Sequence, residues 1–176
     1  MILIAYGQQK SASTYLAHLS KSVCESAGTD QDALRKRVLT GPLERNLTFW
    51  QDKDLFEIPT TVADRLEPGE NMLLKTHAQF LPRYSEVLDR PDIRVLISYR
   101  HPGDAALSSF EAGERARREN DKAKPFFAAI QSHRQGIAGM ARILETYTIP
   151  WLKSGLGIPF SYDQITQDTD AVLERL

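Results

Sequence analysis

The sequence predicts an α/β fold, a three-layer sandwich on a mostly parallel central sheet. Two observations predict it. Short apolar runs alternate with longer helical stretches, the pattern of βαβ crossovers. One run, Ile93 to Tyr99, is rich in Ile, Val and Leu on both faces, as a strand covered from each side must be. Ligands in such sheets sit at the carboxyl ends of the strands, so those ends are where functional residues are sought.

The first element is a buried strand over residues 2–6, Ile2-Leu3-Ile4-Ala5-Tyr6, too brief an apolar run for a helix. Gly7 to Ala12 forms a loop. A helix starts near Ser13, carries Leu16, Leu19, Ser20 and Val23, and stops near Ala27-Gly28. Residues 30–70 are weakly patterned and hold one or two short helices, with breaks at Gly41-Pro42 and Pro68-Gly69. A second strand spans Asn71 to Lys75, and a short helix at about 80–90 precedes the third strand, Ile93 to Tyr99. After His101-Pro102-Gly103, Asp104 is placed to cap a helix running to about Asn120. Another helix follows Pro125, with Phe126, Phe127, Ile130, Ile137, Met140, Ala141 and Leu144 on one core stripe. A last strand, Ile158 to Tyr162, and a short helix over about 165–175 follow.

The 176 residues fit a single domain, 1–176, able to bury a core without disulfides or a structural metal. A formal net charge of −1 gives no broad basic surface for nucleic acid. Any anion site is therefore local, built from a few cations and backbone N–H groups. Cys24 is the only cysteine, which excludes an intrachain disulfide and cysteine-rich metal sites; it reads as a small apolar residue on a helix. No run has the length of a signal peptide or membrane span, so a cytoplasmic location is the expectation. Nothing in the sequence sets the oligomeric state.

Three clusters carry chemistry. Lys10, Ser11, Ala12, Ser13, Thr14 and Tyr15 follow a strand and open a helix, where free N–H groups and the helix dipole favour a phosphate. The same residues also suit a plain capped helix with an exposed lysine. No glycine directly precedes Lys10, so the loop is not the G-x-x-x-x-G-K-S/T motif of nucleotide kinases. Lys75-Thr76-His77 ends the second strand; a histidine there can act as a general base, and Lys75 shares its side of the strand. A solvent-exposed turn histidine is the alternative. Arg100 leaves the third strand, and Ser108 lies in the helix beyond; a guanidinium fork and a hydroxyl suit a phosphate, although Arg100 alone could equally pair with a carboxylate.

Taken in order, these clusters resemble the PAPS-dependent sulfotransferase family. That family carries a Lys-Ser-Gly-Thr-Thr-Trp loop, a Lys-Thr-His, an Arg-x-Pro-x-Asp with a serine eight residues after the arginine, and a Tyr-Glu-Asp-Leu strand end. Here they read Lys10-Ser11-Ala12-Ser13-Thr14-Tyr15, Lys75-Thr76-His77, Arg100-His101-Pro102-Gly103-Asp104 with Ser108, and Tyr162-Asp163-Gln164-Ile165.

The resemblance implies a P-loop NTPase-like sulfotransferase fold. It also implies an enzyme that moves a sulfuryl group from 3′-phosphoadenosine 5′-phosphosulfate (PAPS) to a hydroxyl or amine on a small-molecule or glycan acceptor, releasing 3′-phosphoadenosine 5′-phosphate (PAP). It assigns Lys10, Ser11, Ala12, Ser13 and Thr14 to the 5′-phosphosulfate and Arg100 and Ser108 to the 3′-phosphate. Tyr15 goes against the adenine, with Tyr162 near the same base. His77 becomes the base for the acceptor proton, with Lys75 steadying the sulfuryl oxygens and Lys10 neutralising the leaving phosphate. No metal is expected, because a sulfuryl group carries less charge than a terminal phosphoryl group.

Ala12 stands where the family has glycine, a mild change if φ is negative there. The family's late basic, glycine-containing segment, which closes over the 3′-phosphate, is expected to be missing from a sequence that runs to Leu176. Two other readings remain: a divergent kinase-like phosphotransferase, and a nucleotide-binding scaffold without activity. The run Glu114-Arg115-Ala116-Arg117-Arg118-Glu119 reads as a solvated helix face, His18 and His133 as packing or surface residues, and Trp50 and Trp151 as core or acceptor-pocket wall.

Overall fold

A computed structural model describes residues 1–40, 54–121 and 125–176. In chain order its elements are β1 (Ile2–Gly7), α1 (Ser13–Ser26), α2 (Gln31–Val38), α3 (Asp54–Ala63), β2 (Met72–Thr76), α4 (Ser85–Leu88), β3 (Ile93–Tyr99), α5 (Pro102–Arg118), α6 (Pro125–Ala128), α7 (His133–Ile143), α8 (Ile149–Lys153), β4 (Gly157–Ser161), α9 (Tyr162–Gln167) and α10 (Thr169–Leu173). A 3₁₀ turn, Pro82–Tyr84, leads into α4, and a π-helical turn, Leu144–Thr148, joins α7 to α8.

The strands form one sheet in the order β2-β1-β3-β4, with every pairing parallel. The register sets Tyr6 opposite Thr76, Gly7 opposite Ser98, and Tyr99 opposite Ser161, so the four carboxyl ends form one row. Period-2 alternation then divides the core. Ile2, Ile4 and Tyr6, with Met72, Leu74, Val95 and Ile97, pack on Leu34 and Val38 of α2, Val62 of α3, Leu88 of α4 and Trp151 of α8. On the other face Leu3, Ala5 and Leu73 meet Ala17 and Cys24 of α1. Leu96 and Phe160 there meet Leu16, Ile165 of α9 and Val172 of α10. This is the expected three-layer sandwich. Cys24 and Trp151 are buried core residues, whereas Trp50 and the Gly41-Pro42 break lie outside the described residues. Among the described residues no helix is long and apolar enough to cross a membrane.

Several boundaries differ from expectation, each for a local reason. The second strand is Met72–Thr76, because α2 holds Asn71: Gln31 Nε2 donates to the Asn71 carbonyl at 2.6 Å. Helix α5 begins at Pro102, ahead of Asp104. His101 is its cap, Nδ1 accepting from the Gly103 N–H at 3.3 Å, and Asp104 sits in the first turn, where a negative charge suits the helix dipole. Tyr162 opens α9 instead of ending β4, because a capping box between Ser161 and Gln164 starts the helix there.

The single helix expected after Pro125 is two helices. Arg117 donates to the carbonyls of Ala128 and Ile130 at 2.9 and 2.6 Å, taking acceptors that a continuous helix would use. Ser132 then caps α7 by accepting from the Gln135 N–H. Gly113 permits the close approach of this corner, since a Cβ there would lie 2.3 Å from the Phe127 carbonyl oxygen. The core stripe is accordingly broken: Met140 and Ile130 are buried, while Phe126, Ile137 and Ala141 are exposed.

Candidate functional site

The loop from Gly7 to Ala12 turns tightly between β1 and α1. A Cβ on Gly7 would lie 2.0 Å from the Ser13 Cβ and 2.5 Å from the Ser98 Oγ, so only glycine fits. Lys10 and Ala12 both adopt the left-handed conformation, φ 66° and 61°. The mild-substitution condition for Ala12, a negative φ, is therefore not met; its methyl group is carried at a strained position. Ser11 is fully buried. Its hydroxyl donates to the Gln8 carbonyl at 2.6 Å and shares a 2.8 Å bond with Ser98 Oγ, bracing the loop against β3. Helix α1 has no side-chain cap, and Ser13 and Thr14 occupy its first turn.

Two side chains from β2 and the loop after it reach this loop. Lys75 Nζ donates to Thr14 Oγ1 at 2.8 Å, and burial lowers the lysine pKa from its ordinary value. His77 Nδ1 bonds the Gly7 carbonyl. A carbonyl only accepts, so Nδ1 carries the proton and the ring lone pair sits on Nε2. Burial, with a smaller contribution from the Lys75 charge, holds the His77 pKa down at about 4, against the opposing effect of the Gly7 bond. The imidazole is neutral at pH 7.

The ends of β3 and β4 close the group. The Arg100 N–H donates to Gln8 Oε1 at 3.1 Å, and Arg100 Nη1 donates to the Lys10 carbonyl at 3.4 Å. The guanidinium carbon lies 3.8 Å from the centroid of the Tyr162 ring, a cation–π stack that holds the plane of the fork. Lys10 Nζ lies 4.5 Å from the centroid of Phe127 on α6. Lys10, Thr14, Lys75, His77, Arg100 and Tyr162 thus converge from four strand ends. Ser108 is half-buried in the second turn of α5, and Tyr15 is exposed on α1; among the described residues no hydrogen bond or ring contact joins either to the group.

A cavity of about 270 Å³ opens beside the loop, lined by Tyr6, Gly7, Gln8, Gln9, His77, Phe126, Ile143 and Tyr147. The Tyr6 hydroxyl bonds Thr148 Oγ1 within the π-helical turn at 3.1 Å, and its ring stacks on Trp151 at 5.0 Å. That places Trp151 behind the cavity wall, in the core. Among the described residues no group of three or more His, Cys, Asp or Glu is placed to hold a metal ion.

Gln8, Ser98 and Phe127 are site residues that sequence reasoning missed. Gln8 is 1% exposed, and its Nε2 has no hydrogen-bond partner; Arg100 Nε is likewise buried and unpartnered. Such groups cost free energy unless a ligand satisfies them. The one available signal was a pair of glutamines in a tight loop between an apolar strand and a helix.

No family model matches the chain, and no curated protein matches it significantly by sequence. Among solved structures it is similar to retinol dehydratase in complex with androsterone and the inactive cofactor PAP. That match has a TM-score of 0.50 at 16% identity and covers 99% of this chain and 57% of that one. The chain therefore spans little more than half the length of that protein. The likeness shows the fold: a three-layer α/β sandwich on a parallel sheet, as in that protein.

Proposed function

We propose that the chain is a PAPS-dependent sulfotransferase, transferring a sulfuryl group to an acceptor hydroxyl with His77 as the base. One observation carries the reading: Arg100, from the end of β3, donates to the carbonyl of Lys10 in the β1–α1 loop. A ligand with phosphates at both ends of an adenosine needs groups from separate strand ends in one cleft, and this contact sets the end of β3 against the β1–α1 loop that carries Lys10. The PAP bound by the structurally similar retinol dehydratase supports the same ligand class.

On this reading the loop N–H groups, Ser13, Thr14 and Lys10 hold the 5′-phosphosulfate, with Ala12 shaping the turn and Ser11 bracing it. Arg100 and Ser108 hold the 3′-phosphate, and Tyr15 and Tyr162 flank the adenine. The acceptor oxygen attacks sulfur while its proton passes to His77 Nε2. The bond from sulfur to the bridging phosphate oxygen breaks, and PAP leaves with the extra negative charge on its 5′-phosphate. Lys10 offsets that charge, and Lys75 steadies the sulfuryl oxygens. The step requires no divalent ion, so turnover is expected to persist in chelator.

The test is a thermal-shift series with PAP, AMP and ATP plus Mg²⁺, followed by PAPS turnover on an acceptor panel. Stabilisation by PAP above AMP, with turnover, supports the reading. Stabilisation by ATP and Mg²⁺ alone would replace it with a phosphotransferase, and PAP binding without turnover of any acceptor with a nucleotide-binding scaffold.

A further inference from the structure

Gln8 is a buried polar residue, 1% exposed, where an apolar side chain would pack without the cost of enclosing an amide. Its hydrogen bonds give the reason. The Gln8 N–H donates to the Ser98 carbonyl at 3.1 Å, carrying the β1–β3 ladder one rung past its last pair, Gly7 with Ser98. In a parallel ladder the next rung runs from the Arg100 N–H to the Gln8 backbone carbonyl. That carbonyl is committed elsewhere. It accepts from the Ser11 N–H at 3.2 Å and from the Ser11 hydroxyl at 2.6 Å, two bonds that close the β1–α1 loop. The Arg100 N–H goes instead to Gln8 Oε1, at 3.1 Å.

The side chain thus replaces its own backbone carbonyl. One residue closes the loop with its main chain and extends the ladder with its amide. The consequence falls on Arg100. Its guanidinium is held at Nη1 by the Lys10 carbonyl, at 3.4 Å, and across its face by Tyr162, at 3.8 Å. Both contacts act at the far end of a long, rotatable side chain; the Gln8 bond acts at its root. A guanidinium fork donates well only within narrow limits of distance and angle, so a shift at the root carries the donors off an anion.

We propose that Gln8 is a positioning residue for Arg100: its side-chain carbonyl stands in for the backbone acceptor that the loop has withdrawn, and fixes where the guanidinium leaves the sheet towards a phosphate. This rests on the sulfuryl-transfer reading, which gives Arg100 the 3′-phosphate to hold. It adds a residue that the motif resemblance does not include, acting through Arg100 and not on the ligand.

The experiment makes two measurements on the full chain, unaltered and as Gln8→Met, Gln8→Asn and Gln8→Glu. Methionine keeps the length and removes the carbonyl. Asparagine keeps the amide and draws it back by roughly 1.5 Å, one carbon–carbon bond; it decides the matter if Gln8→Met does not fold. Glutamate restores an acceptor of the same reach. Hydrogen exchange of backbone amides, followed by NMR without ligand, should show the Arg100 amide exchanging about tenfold faster in Gln8→Met and Gln8→Asn. Gln8→Glu should keep it protected. Calorimetric titration of PAP and AMP should show the advantage of PAP over AMP falling roughly threefold to tenfold in Gln8→Met and Gln8→Asn, the effect of one hydrogen bond.

An Arg100 amide indifferent to the loss of the carbonyl, or as exposed in Gln8→Glu as in Gln8→Met, would overturn the proposal. So would a PAP advantage that survives in Gln8→Met and Gln8→Asn. Equal losses for PAP and AMP would overturn it too, since they would place the effect in the loop and not at Arg100. Each of these leaves the transfer reading standing. Failure of PAP to bind the unaltered chain strikes that reading, and the proposal with it.

Discussion

Arg100 and Lys10 are 90 residues apart in sequence, yet the Arg100 guanidinium donates to the Lys10 carbonyl at 3.4 Å. The parallel pairing of β1 with β3 makes this possible, because Gly7 and Ser98 end the ladder side by side. The tip of one strand thereby braces the loop that leaves its neighbour. The Arg100 guanidinium is held against the Lys10 backbone, while the Lys10 ammonium lies over Phe127 of α6.

His77 should govern rate more than binding. His77→Ala is expected to lower kcat by about 10²–10⁴-fold with little change in KM. Because its pKa is held at about 4, the histidine stays unprotonated well below pH 6.5. The acid limb of kcat/KM should therefore fall near pH 4. A limb near 6.5 would contradict the lowered His77 pKa.

The same shift bears on stability. The folded-state pKa lies below the unfolded value, so on acidification the unfolded chain takes up the proton first. The contribution is complete above about pH 6.5 and is lost as pH falls toward about 4, on the order of 3 kcal/mol in all. Urea denaturation at pH 7 and 4.5 should show a smaller fall in His77→Gln than in the unaltered chain.

Lys75 ties Thr14 to β2 and places positive charge beside His77. Lys75→Met should raise the His77 pKa part of the way towards its ordinary value, since burial persists. NMR titration of the imidazole protons would measure this, and the acid limb of activity should move up with it.

The anion loop offers an opposed pair of substitutions. Gly7→Ala places a methyl group 2.0 Å from the Ser13 Cβ and should destabilise by about 3 kcal/mol or prevent folding. Ala12→Gly relieves a left-handed alanine at φ 61°. It should stabilise by about 0.5–1 kcal/mol, net of the entropy glycine adds to the unfolded chain. Thermal melts check both signs.

What the sequence disclosed follows from how local each cause is. β1 and β3 were legible because a strand covered on both faces is a continuous apolar run, and Lys10, Lys75, His77 and Arg100 because each lies within or just after such a run. The break between α6 and α7 was not, since it depends on Arg117 reaching two carbonyls from another helix. The stripe through Phe126 and Ile137 fitted one helix only on the assumption that the chain ran straight. Gln8 stayed hidden for a similar reason: what makes its amide a fixed donor is the Arg100 N–H, brought to it by a strand 92 residues away. Tyr162 could be placed near the site from its motif, but its stack on Arg100 could not.

The most direct test of the shared-cleft account is calorimetric titration of PAP and AMP into the unaltered chain and Arg100→Ala. The two ligands differ only in the 3′-phosphate assigned to Arg100. The account expects PAP to bind at least tenfold tighter than AMP, with that advantage largely gone in Arg100→Ala. Equal affinities in the unaltered chain, or an undiminished PAP advantage without the guanidinium, would contradict it.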